Sequence, residues 1–155
     1  MIECKNHTKC IKEAIAQANS ICSEHNLRFT DLRKKVFEII SSNHQPAKAY
    51  DVLNQLQQED SSAKPSTVYR TLDFLLEYGL IHKLHSSNTY TTCSHPAKHN
   101  QCYFLICDKC NEIKECCDDN LTRAVNNITN KNKFNAKNIT IEIRGLCNNC
   151  SSISH

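Results

Sequence analysis

The chain has 155 residues, room for one domain or two small ones, and 39% of it is hydrophobic, yet no run approaches the ~20 apolar residues of a membrane-spanning helix. Its formal net charge is +3, and residues 1–92 hold eleven Lys/Arg against ten Asp/Glu, so charge alone gives no pointer to nucleic acid. The start, MIECKNHTKCIKEA, has three lysines and no apolar run behind them, so no secretory signal is expected, and in a reducing compartment eleven cysteines, an odd number, favour metal or redox chemistry over disulfides.

In chain order, the first half reads as four helices and a hairpin. Ile11, Ile15, Ala18 and Cys22 recur at helical spacing. After Thr30, a good N-cap, Leu32, Val36, Ile39 and Ile40 do the same. A third helix is expected over Ala47 to Gln57, on Val52, Leu53 and Leu56. A fourth runs from about Ser66 to Tyr78 and stops at Gly79, with Val68, Leu72, Leu75 and Leu76 as its buried stripe. GLIHKLHSSNTYTTC then gives two short strands around Ser86, Ser87 and Asn88. Helices followed by such a hairpin make a winged helix-turn-helix over residues 1–92.

Composition shifts near Cys93, and residues 93–101 read as a hinge. Beyond it, residues 102–155 form a small α/β domain. YFLIC and EIKECC look like strands, Asp118 to Lys131 like a helix on Leu121, Val125 and Ile128. Ile139, Ile141 and Ile143 alternate with Thr140, Glu142 and Arg144 as a half-buried strand should. The fold class is α+β.

Cys107 and Cys110 form one CxxC, Cys147 and Cys150 another, each at the end of an expected strand. Two such knuckles complete a tetrahedral cage of soft thiolates, which selects zinc over magnesium or calcium. A thioredoxin-type redox motif needs one pair only and normally opens a helix. The two pairs therefore read as a structural zinc site with no open position for catalysis. HExxH and the nucleophile elbow are absent, and two glycines provide no phosphate loop, so no enzyme is expected.

The segment AKPSTVYRTLDFLLEYG has a second possible use. With its leucines inward, the outer face carries Ser66, Thr67, Tyr69, Arg70 and Asp73. Arg70 suits a bidentate contact to guanine, and Tyr69 a thymine methyl or the backbone. Arg28, Arg33, Lys48 and Lys83 are candidate phosphate contacts. The pattern taken alone reads rather as an ordinary amphipathic helix with a merely solvated face.

RFTDLR, the run KPSTVYRTLDFLLEYGLIHKLHSSNTYTTC, and the downstream CDKC and CNNC together resemble the ferric uptake regulator family, most closely its zinc-responsive branch, over roughly Ile21 to Cys150. The resemblance implies a cytoplasmic homodimeric repressor that binds an AT-rich palindrome in double-stranded DNA and, with zinc bound, shuts off zinc import genes. It also implies a second, regulatory zinc held by His82, Cys93, His99 and Glu115. His82 and Cys93 sit at opposite ends of the wing hairpin, which brings them near each other, and a mixed N/S/O set suits tetrahedral zinc. CSHPAKHNQC also offers His95 and Cys102 in place of His99. No histidine occurs between Asn100 and Ser154, which favours zinc over iron and speaks against a further regulatory site.

Other readings stay open at this point. An iron-responsive repressor of the same family, a redox sensor oxidised at Cys102, Cys116 or Cys117, and a zinc-ribbon interaction module would all share much of this pattern. No membrane and no small-molecule substrate are expected. Cys4, His7 and Cys10, spaced three apart, could ligate a metal but read rather as a terminal tail, and Cys22 reads as packing.

Overall fold

A computed structural model of the chain describes residues 7–42, 45–96, 102–137 and 139–152. Two compact units divide it, Met1–Ala97 and Lys98–His155. No helix among the described residues is long and apolar enough to cross a membrane.

The first unit contains α1 (His7–Glu24), α2 (Asp31–Ser42), α3 (Ala49–Glu59), α4 (Pro65–Glu77), β1 (Ile81–Leu84) and β2 (Thr89–Thr92). This is the winged helix-turn-helix expected from the sequence. Thr30 caps α2, its Oγ1 accepting from the Arg33 N–H at 3.4 Å. The anticipated stripes meet in one core, in which Val36, Val52, Leu72 and Leu75 are fully buried. Each such side chain contributes about 1.5–3 kcal/mol by leaving water. Cys22 belongs to this core, and burial pushes its thiol up, with Arg33 partly opposing.

Two local devices shape this unit. Pro65 occupies the first turn of α4, where its missing N–H costs nothing. At the other end, Gly79 takes φ 65°, the Leu80 N–H donates to Leu75 O at 2.9 Å, and the Gly79 N–H to Leu76 O at 3.1 Å. That double bond is a Schellman stop, and it turns the chain directly into the wing. The third helix begins at Ala49, two residues later than the periodicity suggests. Ala47 instead exchanges both backbone hydrogen bonds with Tyr90 of β2, at 2.9 and 2.8 Å, and so stays extended.

The second unit contains β3 (Cys102–Cys107), β4 (Ile113–Cys117), α5 (Asp119–Lys131), β5 (Ile141–Gly145) and a single turn, α6 (Asn148–Ser151). The sheet order is β4-β3-β5. β3 and β4 are antiparallel, with Cys102 opposite Cys117 and Phe104 opposite Glu115. β3 and β5 are parallel, so α5 serves as the crossover. Asp118 caps α5 by accepting from the Asn120 and Leu121 amides at 2.8 and 3.0 Å.

Burial in this unit departs from expectation. No residue of α5 is buried, and Ile128 is 63% exposed. Ile139 and Ile141 are half-buried as expected, but Ile143 is 49% exposed and Leu105 38%. The register places Leu105 beside Ile143 and Tyr103 beside Ile141 on one sheet face. The apolar pattern is real, but the unit's own described elements do not cover it.

Candidate metal centre and nucleic-acid interface

The parallel pairing of β3 and β5 brings the two CxxC knuckles to the same end of the sheet. Cys107 ends β3 and opens a tight turn in which its N–H donates to Glu112 O at 2.9 Å, the Asn111 N–H donates back to Cys107 O at 2.9 Å, and Asn111 takes φ 56°. Cys147 is the N-cap of α6 and Cys150 lies within that turn. The four sulfurs all lie within 4.8 Å of one another, with Cys110 and Cys147 at 3.8 Å. A tetrahedral cation with bonds of about 2.3 Å to sulfur places its ligands about 3.8 Å apart, so the cage has zinc dimensions.

The protonation of this cage is uneven. Amides of Cys110 and Cys147 directed at Cys107 lower its thiol to about 6. The neighbouring Cys147 thiol, then burial, push Cys150 up to about 12. One sulfur is thus ready as a thiolate, and a divalent cation would displace protons from Cys110 and Cys150. Zinc bound there would supply no reactive position; it would cross-link the ends of β3 and β5. Asp108 reinforces the same junction, its N–H donating to Gly145 O at 2.8 Å and its carboxylate pairing with Arg144.

The residues expected for a second zinc are distributed as follows. His82 lies in β1, opposite Thr91, and Cys93 continues the hairpin, its N–H donating to Leu80 O at 3.0 Å. Their donor atoms are within 4.8 Å of each other. Glu115 belongs to β4, where its carboxylate comes within 4.8 Å of the Cys117 sulfur. His99 lies outside the described residues, while His95 is exposed.

On α4, Ser66, Tyr69, Arg70 and Asp73 are exposed and Thr67 partly so, while Val68, Leu72, Phe74 and Leu75 face the core. Tyr69 stands 53% exposed. Among the candidate phosphate contacts, Arg28 and Lys48 are exposed. Lys83 sits 5.7 Å from the centroid of the Tyr90 ring. Arg33 is engaged within its unit: its guanidinium stacks 3.5 Å from the Phe74 ring centroid and donates to the Arg28 carbonyl. Tyr50, 69% exposed at the start of α3, was not singled out by sequence; an aromatic beside Lys48 at a helix N-terminus was the available signal.

Sequence reasoning named Cys102 and Cys117 as possible oxidation sites but missed that they pair. The sulfurs of Cys102 and Cys117 lie 2.8 Å apart across β3 and β4. Burial, then hydrogen bonds with Cys117 and Glu115, raise the Cys102 thiol far above its ordinary range. The two residues are equally distant from the Cys107–Glu112 turn, and that symmetry was legible once the strands were paired.

Comparison with known proteins fits this architecture. The ferric uptake regulator family model matches residues 24–144. The chain belongs to the ferric uptake regulator family. It is 38% identical over 144 residues to the zinc uptake regulation protein of Escherichia coli (strain K12), covering 92% of this chain and 84% of that one. A solved zinc uptake regulator complexed with zinc and DNA superposes with a TM-score of 0.85 at 36% identity, covering 92% of this chain and 96% of the other. The crystal structure of holo XcZur gives 0.81 at 34% identity, with 89% and 96% covered.

Proposed function

We propose that this family member is a zinc-dependent transcriptional repressor of zinc uptake genes, acting in the cytoplasm as a homodimer on an AT-rich palindrome. The observation that carries the reading is the likeness, over 92% of the chain, to a zinc uptake regulator complexed with zinc and DNA. In this reading α4 enters the major groove and presents Ser66, Thr67, Tyr69 and Arg70 to the bases. Lys83, Arg28 and Arg33 approach phosphates from the flanks, Arg33 after leaving the Phe74 ring.

Cys107, Cys110, Cys147 and Cys150 hold a structural zinc, and their sulfur spacing supports this. His82 and Cys93 begin the regulatory site, with Glu115 and His99 as the further ligands. A thiolate in that set suits zinc better than iron. Ligands drawn from wing, hinge and second unit would let one cation fix the separation of two recognition helices, which a palindromic operator demands. The uncovered apolar faces of α5 and the sheet support association through the second unit.

The test is a chelator-competed zinc titration of the purified protein, read alongside anisotropy of a labelled palindromic duplex. One inert and one exchangeable zinc per chain are expected, with tight DNA binding appearing only when the second is filled. His82→Ala or Cys93→Ala should abolish the exchangeable site alone. A single inert site, or DNA affinity indifferent to zinc, would defeat the reading.

A further inference from the structure

Ten cysteines lie among the described residues, and Cys102, Cys116 and Cys117 stand apart from every role assigned above. Cys102 and Cys117 face each other in register on neighbouring antiparallel strands, with sulfurs 2.8 Å apart. Directly opposed residues in such strands have Cα atoms about 4.5–5.5 Å apart, inside the range that disulfides span. The separation also discriminates between fates. Two sulfurs on one tetrahedral zinc stand about 3.8 Å apart, as Cys110 and Cys147 do. Cys102 and Cys117 are too close for that, and only a modest approach separates them from the S–S bond length of about 2.05 Å.

Their environments are unequal in a useful way. Cys117 is exposed, and Cys102 is 7% exposed. An oxidant in solution meets the first, and the second is held beside it. Cys116, the next residue, points to the opposite sheet face and has no such partner across the strand; the residue opposite it is Tyr103.

We propose that Cys102 and Cys117 are a reversible redox site, closed to a cross-strand disulfide by hydroperoxides. The Cys117 sulfur attacks the peroxide, forming an S–O bond as the O–O bond breaks and releasing water or an alcohol. The Cys102 sulfur then attacks the resulting sulfenic acid, forming the S–S bond and expelling the hydroxyl as water. Two thiols are oxidised by two electrons and one hydroperoxide is reduced, with both thiol protons ending in the released products. A thiol reductant reverses the step. The site stands on strand register and sulfur separation, and does not depend on the zinc-repressor reading.

The experiment uses the zinc-loaded full chain, treated with equimolar hydrogen peroxide, alkylated, and read by intact mass and fragmentation of linked peptides. The expected product has lost the mass of two hydrogens, retains the four-cysteine zinc, and links Cys102 to Cys117. Reduction restores both thiols. Cys116→Ser should leave the linkage intact. Cys102→Ser should abolish it and leave Cys117 as a sulfenic or sulfinic acid. Linkage through Cys116, loss of the four-cysteine zinc before any Cys102–Cys117 bond forms, or overoxidation of Cys117 with Cys102 still alkylatable would each overturn the proposal.

Discussion

Arg144 holds Asp108 through one carboxylate oxygen: its Nε and Nη2 both donate to Oδ1, at 2.8 and 2.6 Å. The pair joins the end of β5 to the first CxxC turn, beside the backbone bond from the Asp108 N–H to Gly145 O. Both side chains are about half exposed, at 53% and 46%, so water and salt screen most of their attraction. Arg144→Ala should therefore lower the unfolding free energy of the zinc-loaded protein by under ~1 kcal/mol in urea, and by less in high salt. A much larger loss would mean that the pair, rather than the metal and the backbone bond, sets the knuckle.

Zinc capture by the four cysteines should release protons in a number that depends on pH. With Cys107 lowered to about 6, it is already a thiolate at neutral pH, while Cys150, raised to about 12, is not. Binding well above pH 6 should expel about one proton fewer per structural zinc than binding well below it, because Cys107 has already lost its own. Affinity accordingly weakens in acid. Calorimetry of the metal-free protein in buffers of different ionisation enthalpy reads the count directly. A release that stays constant from about pH 5 to about pH 8 would show that Cys107 carries no special thiolate character.

Gly79 closes α4 at φ 65°, a backbone shape that a Cβ opposes by about 1–2 kcal/mol. Gly79→Ala should destabilise the first unit by that amount. Because the Schellman turn sets where the wing leaves α4, it should also weaken DNA binding more than stability alone predicts. Urea unfolding and operator anisotropy on the same variant separate the two effects. Unchanged stability would mean that the turn relaxes into another form.

Much of this was legible because certain spacings admit few structures. Two CxxC pairs at strand ends have little else to do than meet around a cation, and the apolar stripes of α2 and α4 have one core to fill. The failures share a cause, which is pairing between distant residues. Ala47 has the local pattern of a helix start, and only its partnership with Tyr90 makes it extended. Cys102 and Cys117 carry no motif; their meeting follows from strand register. Ile128 and Ile143 were read correctly as apolar stripe residues, but a sequence pattern cannot say whether the covering surface belongs to the same chain.

If a second copy covers the sheet face of Leu105 and Ile143, a charge placed there should break the dimer without unfolding the protomer. Ile143 is 49% exposed, so Ile143→Glu should change protomer stability by less than about 0.5 kcal/mol. In the dimer it would bury an unpaired carboxylate, a cost of several kcal/mol, weakening self-association by roughly 100-fold or more. Sedimentation velocity across a concentration series measures this. A dimer of unchanged strength would place the interface elsewhere, with Ile128 of α5 as the next position to charge.

The sharpest separation of roles is expected on the DNA. Arg70 is exposed on the outer face of α4, away from the core residues Val68, Leu72 and Leu75, so Arg70→Ala should leave the fold intact by circular dichroism. A bidentate contact to guanine is worth about 1–3 kcal/mol, so the variant should bind a cognate palindrome roughly 5- to 150-fold more weakly while keeping its non-specific affinity. Lys83 lies in the wing and, on the proposed function, meets phosphate. Lys83→Ala should weaken cognate and random duplexes alike, and lower the slope of log affinity against log salt by about one. Anisotropy titrations with both duplexes over a salt series distinguish the two. If Arg70→Ala lost affinity equally for both duplexes, Arg70 would be a phosphate contact and base reading would fall to Tyr69, Ser66 and Thr67; if it lost none, α4 would not be the element that reads the operator.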